Sequence, residues 1–314
     1  MITPEKPAVD AKRAIRVKKR GNALGFWCFR MMFRFFGQKG TYLLLQFVAT
    51  HYLIFDREAV VSTLSYIEKR FPRAGKIEKY WHVRRLFVNQ GRQLIDRYVL
   101  ALKSDYIKCH QVDTKETLET IQESDKGLVL LTSHIGNWQV ALMHMGHLRK
   151  DISIVMRPED NPAVRECLRL GSHEAKPVKM IDPQGHLGGA LEIVQALNEG
   201  NIVCMMGDRS YGFDTLEVPF LGKPAYFPYG AFAVAAATES PVVALLTHKV
   251  SEREYIADVS NMWRPIYEDG QSKKEQLRGW LNNYIALLES FVEEHPYECF
   301  LFHNVWGSSK GSVR

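Results

Sequence analysis

Cysteine is scarce and scattered. The 314 residues hold five, Cys28, Cys109, Cys167, Cys204 and Cys299, with no Cys-x-x-Cys pair. That excludes a disulfide scaffold and a zinc finger or ribbon, and it fits a reducing compartment. Long apolar runs are missing too. Near the N-terminal end the uncharged stretch from Gly40 to Phe55 is 16 residues and contains Gln46 and His51, whereas a membrane span needs about 20 mostly apolar residues. GxGxxG and GxxxxGK[ST] phosphate loops are absent, and no GxSxG elbow joins a strand to a helix, so a nucleotide fold and a serine nucleophile are not indicated. Gly188-Gly189 is only a weak phosphate-loop signal. No internal repeat is visible.

Positive charge is concentrated at one end. The formal net charge is +6, and residues 1–20 carry seven Lys or Arg against Glu5 and Asp10, so nearly all of the excess lies in this arm. An arm of this kind suits an anionic membrane surface or an acidic partner protein. It lacks interleaved aromatics, and no nucleic-acid-binding module is present, so nucleic acid is not an expected partner. Next comes "LGFWCFRMMFRFFG", aromatic but broken by Arg30 and Arg34, and then the 16-residue apolar run. Together these read as an interfacial, membrane-associating segment over 21–56, with arginines reaching to the headgroups.

The remainder, 57–310, reads as one α/β domain. Apolar residues at three- and four-residue spacing predict helices across 57–124. From 125 to 307, apolar runs alternate with helical segments: strands at 127–134, 151–157, 176–181 and 201–208, with helices from about Asn137, Asn161 and Gly185. An irregular Pro/Gly/aromatic stretch spans 209–230, and within it "FLGKPAYFPYG" (220–230) is read as a flap over the acyl chain or a proline-rich connector. A small-residue helix, the strands "PVVALLTH" and "EYIADVS", and a helix over 272–294 follow. The predicted fold is therefore α/β, a mainly parallel central sheet flanked by helices, with membrane-associating helices at the N-terminal end.

In such sheets ligands bind beyond the carboxyl ends of the strands. His134 ends the first strand, Arg157 the second and Asp208-Arg209 the fourth. A histidine before a helix can take a proton from a hydroxyl or amine attacking a carbonyl. Arg157 and Arg209 can stabilise an oxyanion or bind phosphate. His144 and His147 have metal-ligand spacing but no acidic third ligand, and are read as packing or surface residues; no metal or cofactor is expected. His248 and His303 have no assigned role.

The segment "SHIGNWQVA" resembles the His-x4-acid motif of the lysophospholipid-acyltransferase-like superfamily, and most of all its late lipid A acyltransferase branch, where "H-x-GNWE" is frequent. "IVMRPEDNPAVRECLRL", "MMGDR", "FLGKPAYFPYGAFAVAAATESPVVAL" and "HPYECFLFHNVWG" follow in that branch's order. The resemblance implies His134 as general base, Arg157 and Asp208 beside it, and Gly136, Asn137, Asn161 and Arg209 at the substrate. It also implies an acyl-carrier-protein or coenzyme A thioester as donor and a hydroxyl or amine of a lipid or glycolipid as acceptor. The implied location is the cytoplasmic face of the bacterial inner membrane, peripheral or monotopic.

One departure stands out. Gln139 occupies the place of the acid that orients the histidine. Glutamine accepts a hydrogen bond but brings no charge, and replacing the orienting Asp of a serine-protease triad by Asn costs about 10⁴ in kcat. Three possibilities stay open: Asp208 supplies the charge, Gln139 suffices, or the chain is a catalytically silent lipid- or carrier-binding member of the fold. A thioesterase-like hydrolase is a further enzymatic alternative.

Overall fold

Three helices open the molecule, seen in a computed structural model that describes residues 23–102, 106–123, 126–144, 150–156, 178–209, 214–301 and 303–307. The basic arm 1–20, Arg157, Asn161, His147 and the helix expected from Asn161 lie outside the described residues. Helix α1 (Ala23–Phe55) bends at Gly37, whose φ of 64° falls in the left-handed region that glycine reaches without strain. Helix α2 (Arg57–Arg70) begins at once, because the Asp56 carboxylate accepts the Ala59 N–H at 3.1 Å and caps it. Helix α3 (Lys76–Leu102) runs antiparallel along α1. Arg84 reaches Gln46 and Thr50, while twelve residues on, Asp96 meets Gln38 and Tyr42.

Asp96 is wholly buried, and its carboxylate is saturated by donors. Gln38 Nε2 donates at 2.9 Å, Tyr255 Oη at 2.6 Å and Lys249 Nζ at 2.5 Å, and Tyr42 Oη donates to the same group. A buried carboxylate is tolerated only when paired and hydrogen-bonded in this way. Burial, and then Asp96, push the Tyr42 and Tyr255 phenols well above their ordinary range, so both remain donors. The cluster fastens α1 to the sheet region. Tyr42, Leu45 and Ala49 join the main core, so residue 56 does not divide two cores. Among the described residues no helix is long and apolar enough to cross a membrane.

The central sheet has six strands: β2 (Leu128–Thr132), β3 (Ile152–Val155), β4 (Lys179–Ile181), β5 (Ile202–Met206), β8 (Val242–Ala244) and β11 (Met262–Trp263). Their spatial order is β11-β8-β2-β5-β3-β4, parallel throughout except for β11 at the edge. Along β2, Val129 and Leu131 face one core while Leu128 and Leu130 face another, and β5 alternates likewise. Both faces are covered, which is why these strands read as unbroken apolar runs. Helices α4 (Lys115–Glu123) and α5 (Trp138–His144) contribute to one face. Helices α1 to α3, α6 (Ala190–Asn198), α7 (Gly230–Thr238) and α8 (Lys273–Glu294) contribute to the other.

Three local expectations need correction. The span read as helical over 57–124 also contains β1 (Lys108–Val112), which pairs with β10 (Glu254–Asp258). The run "PVVALLTH" is two strands: the chain leaves the central sheet after β8 and, past Leu245, enters β9 (Leu246–Lys249) of a second sheet, ordered β1-β10-β9. The stretch read as irregular contains an antiparallel hairpin, β6 (Thr215–Phe220) and β7 (Lys223–Pro228). Its two-residue turn holds Leu221 and Gly222, at φ values of 51° and 68°, the geometry that matches strand twist in a tight hairpin. Phe220 and Phe227 are fully buried, and Trp306 stacks on Phe220 and donates to its carbonyl at 3.0 Å.

Candidate active site

The parallel register of β2 and β5 creates the site. Leu131 lies beside Met205 and Thr132 beside Met206. Two residues further along each chain stand His134 and Asp208, level with one another past the carboxyl ends of the strands. His134 Nδ1 lies 2.9 Å and 3.1 Å from the two Asp208 carboxylate oxygens, and the His134 backbone N–H also donates to that carboxylate at 3.1 Å. The Asp208 side chain is fully sealed, whereas that of His134 is 24% exposed. The histidine can meet a substrate and the aspartate cannot.

Electrostatics fix the protonation states. Burial alone would raise the Asp208 carboxyl, but the attraction and hydrogen bond of His134, with Arg209, override it and hold the group at about 2. Burial lowers the His134 imidazole below its ordinary 6.5, and the Arg209 charge adds to this, outweighing Asp208. Near neutral pH the pair is therefore carboxylate and neutral imidazole. Nδ1–H must be the donor to Asp208, which leaves the Nε2 lone pair free to take a proton.

The loop after β2 is clamped from several sides. The C-terminal segment pairs with it through an isolated bridge between Ile135 and Cys299. Phe300 N–H donates to the His134 carbonyl at 2.8 Å, and Gly136 N–H donates to the Glu298 carbonyl at 2.7 Å. Gly136 has φ of 71°, and a Cβ there would stand 1.7 Å from the Thr247 carbonyl oxygen, so no side chain fits. Asn137 N–H donates to Thr247 Oγ1 at 2.5 Å, and its buried amide reaches the Gln93 carbonyl and Tyr255 Oη at 3.3 Å and 3.4 Å. Gly136 and Asn137, expected at the substrate, are thus built into the frame of the loop.

Gln139 sits in the first turn of α5, buried, and among the described residues makes no hydrogen bond; its amide is not the partner of the His134 ring. Arg209 follows Asp208, with a buried Nε that has no partner among the described residues. Arg157 and Asn161 lie outside the described residues. The two ring nitrogens of His144 lie 2.8 Å and 3.1 Å from the Val140 and Ile107 carbonyl oxygens, which packs the ring against the chain. Among the described residues no group of three His, Cys, Asp or Glu is placed to hold a metal ion.

Two residues enter the site that sequence reasoning left without a role. His303 Nε2–H donates to the Asp208 carbonyl at 3.0 Å, and burial, then Arg209, lower its ring to about 4, so it stays neutral. Arg97, on α3, lies close enough to depress His134. The block "HPYECFLFHNVWG" was the available signal for His303. Arg97 had none, since one arginine in an amphipathic helix looks like any other.

No curated protein matches the chain. A solved structure that aligns with it is the 1-acyl-sn-glycerophosphate (LPA) acyltransferase PlsC from Thermotoga maritima, over 82% of this chain and 98% of that one, at 16% identity and a TM-score of 0.39. Residues 12–308 match the family described as bacterial lipid A biosynthesis acyltransferase. With nearly the whole sequence inside that match, the chain belongs to the bacterial lipid A biosynthesis acyltransferase family and is an acyltransferase.

Proposed function

We propose that the protein moves a fatty acyl group from an acyl-carrier-protein or coenzyme A thioester to a hydroxyl or amine of a lipid or glycolipid, with His134 as general base. The observation that carries this is the 2.9 Å contact between His134 Nδ1 and the sealed Asp208 carboxylate. As the acceptor oxygen or nitrogen attacks the thioester carbonyl, Nε2 takes its proton and a carbon–oxygen or carbon–nitrogen bond forms. Asp208 stabilises the resulting imidazolium. Collapse of the tetrahedral intermediate breaks the carbon–sulfur bond, and the imidazolium returns the proton to the departing thiolate. Arg209 supplies positive charge for the oxyanion. Gln139 brings no charge, but with Asp208 in place the ring does not depend on it.

We assign the reaction to the cytoplasmic face of the bacterial inner membrane, with the protein peripheral or monotopic. What supports this is the outer side of α1 past the bend at Gly37, where Leu43, Phe47 and Ile54 recur at helical spacing and are all exposed. The basic arm adds attraction to anionic lipid or to an acidic carrier protein. The test is transfer from labelled acyl-carrier-protein or acyl-coenzyme A thioester into a membrane lipid extract, wild type against His134→Ala. Lipid product that disappears in the variant is the expected result. Release of free fatty acid without lipid product indicates a hydrolase, and saturable donor binding without turnover by either protein indicates a silent binding subunit.

A further inference from the structure

Away from His134, α3 brings three arginines into one cleft against α1. Arg84, Arg85 and Arg92 line it together with Trp81, His82 and Asn89, and its volume is about 610 Å³. Among the described residues none of the three is in an ion pair. Arg84 bonds only neutral oxygens, on Thr50 and Gln46. Arg85 bonds the Tyr297 hydroxyl at 3.1 Å and lies over its ring. Arg92 lies 5.4 Å from the centroid of the Tyr42 ring, and its buried Nε has no hydrogen-bond partner. Glu78 is the one acidic group in the lining, and its carboxylate accepts the Gly75 N–H at 3.2 Å. Three guanidinium groups against one carboxylate give the cleft a net positive lining, and planar bidentate donors suit phosphate best.

The rim says what carries the phosphate. Trp81 in the cleft lining is 57% exposed, and Ile77, one turn before it on the same helix, is 85% exposed. Large apolar side chains left in contact with water beside a cationic cleft match an amphiphile, not a free anion. We propose that this cleft binds the phosphate group of a membrane lipid, with the lipid's tails against Trp81 and Ile77. The cleft is mechanically joined to the His134 loop. Asn89 donates to the Tyr297 carbonyl at 3.3 Å, Gln93 one turn on donates to the Glu298 carboxyl, and the Glu298 carbonyl receives Gly136 N–H. The binding claim does not depend on the transfer reaction proposed above.

The experiment is calorimetric titration of the full chain with dihexanoyl phosphatidic acid kept monomeric, so that no charged vesicle surface is present for the basic arm to sense. Saturable one-to-one binding is expected, about tenfold or more tighter than inorganic phosphate, and weakened at least about tenfold in Arg85→Gln/Arg92→Gln. Arg85→Gln alone alters an exposed side chain and guards against misfolding of the double variant; it should weaken binding about threefold or more. Trp81→Ser should weaken the lipid and leave inorganic phosphate unchanged. Binding is read with no acyl donor present, so a failed transfer assay and a failed cleft are told apart. Unchanged affinity in Arg85→Gln and in the folded double variant, or inorganic phosphate bound as tightly as the lipid, overturns the proposal.

Discussion

His134 and Asp208 are level with each other because each stands two residues beyond a paired position of adjacent parallel strands, Thr132 and Met206. No loop rearrangement is needed to bring them together; the sheet register does it. Asp208→Asn should keep the fold and the contact but remove the charge that stabilises the imidazolium. By the precedent of the serine-protease dyad the turnover loss is on the order of 10³ to 10⁴. His134→Ala should lose about as much, and the double variant little more, because the two groups act as a unit. Wild-type kcat/KM should rise with pH through a midpoint below 6.5, since His134 is depressed below that value. An Asp208→Asn enzyme within about tenfold of wild type would remove Asp208 from the mechanism.

The same geometry predicts a mild effect at the position that seemed most anomalous. Gln139 is buried and makes no hydrogen bond to His134. Gln139→Ala should therefore cost about 1–3 kcal/mol of stability through lost packing. Its turnover should remain within about tenfold of wild type, far above that of Asp208→Asn. Steady-state acyl transfer by the two variants, measured side by side, identifies which residue orients the ring.

Strand ends were legible because both faces of the sheet are buried, so β2, β3 and β5 appear as apolar runs with polar residues just past them. What the runs could not disclose was register. The alignment of His134 with Asp208 depends on β5 inserting between β2 and β3, a long-range pairing that leaves no local trace. The hairpin β6–β7 was missed for a local reason. Pro219, Pro224 and Pro228 argue against a strand, yet in a two-stranded ribbon each strand is an edge and tolerates them. Its turn also places Leu221, not Asn or Asp, at positive φ. The bend at Leu245 splits one apolar run between two sheets, and nothing in the residues marks it.

Gly136 provides a sharper structural test. A Cβ at this position meets a backbone oxygen at 1.7 Å and the backbone is at φ 71°, so neither rotamer change nor a small shift relieves the clash. Gly136→Ala should lower stability by about 3 kcal/mol or more and displace His134 and Asn137 on either side. Thermal unfolding gives the first quantity. The second appears as a turnover loss persisting at temperatures where the variant is fully folded.

Glu298 and His303 bind protons in opposite senses on folding, and that gives a pH test of the C-terminal clamp. Burial raises the Glu298 carboxyl from 4.5 to about 7, against the pull of Lys249 and Gln93. Between these values the folded protein holds a proton that the unfolded chain has released, so this group's contribution falls as pH rises through the window. His303 is lowered from 6.5 to about 4. There the unfolded chain holds the extra proton, and stability rises with pH over that range. In the wild type the two slopes oppose each other between about 4.5 and 6.5. Glu298→Gln keeps an acceptor for Gln93 but removes the titration. Its stability relative to wild type should therefore climb by up to about 1.4 kcal/mol per pH unit across that window. Denaturant unfolding of both proteins at half-unit pH steps reads this directly, and parallel curves would show that Glu298 is ionised in the fold throughout.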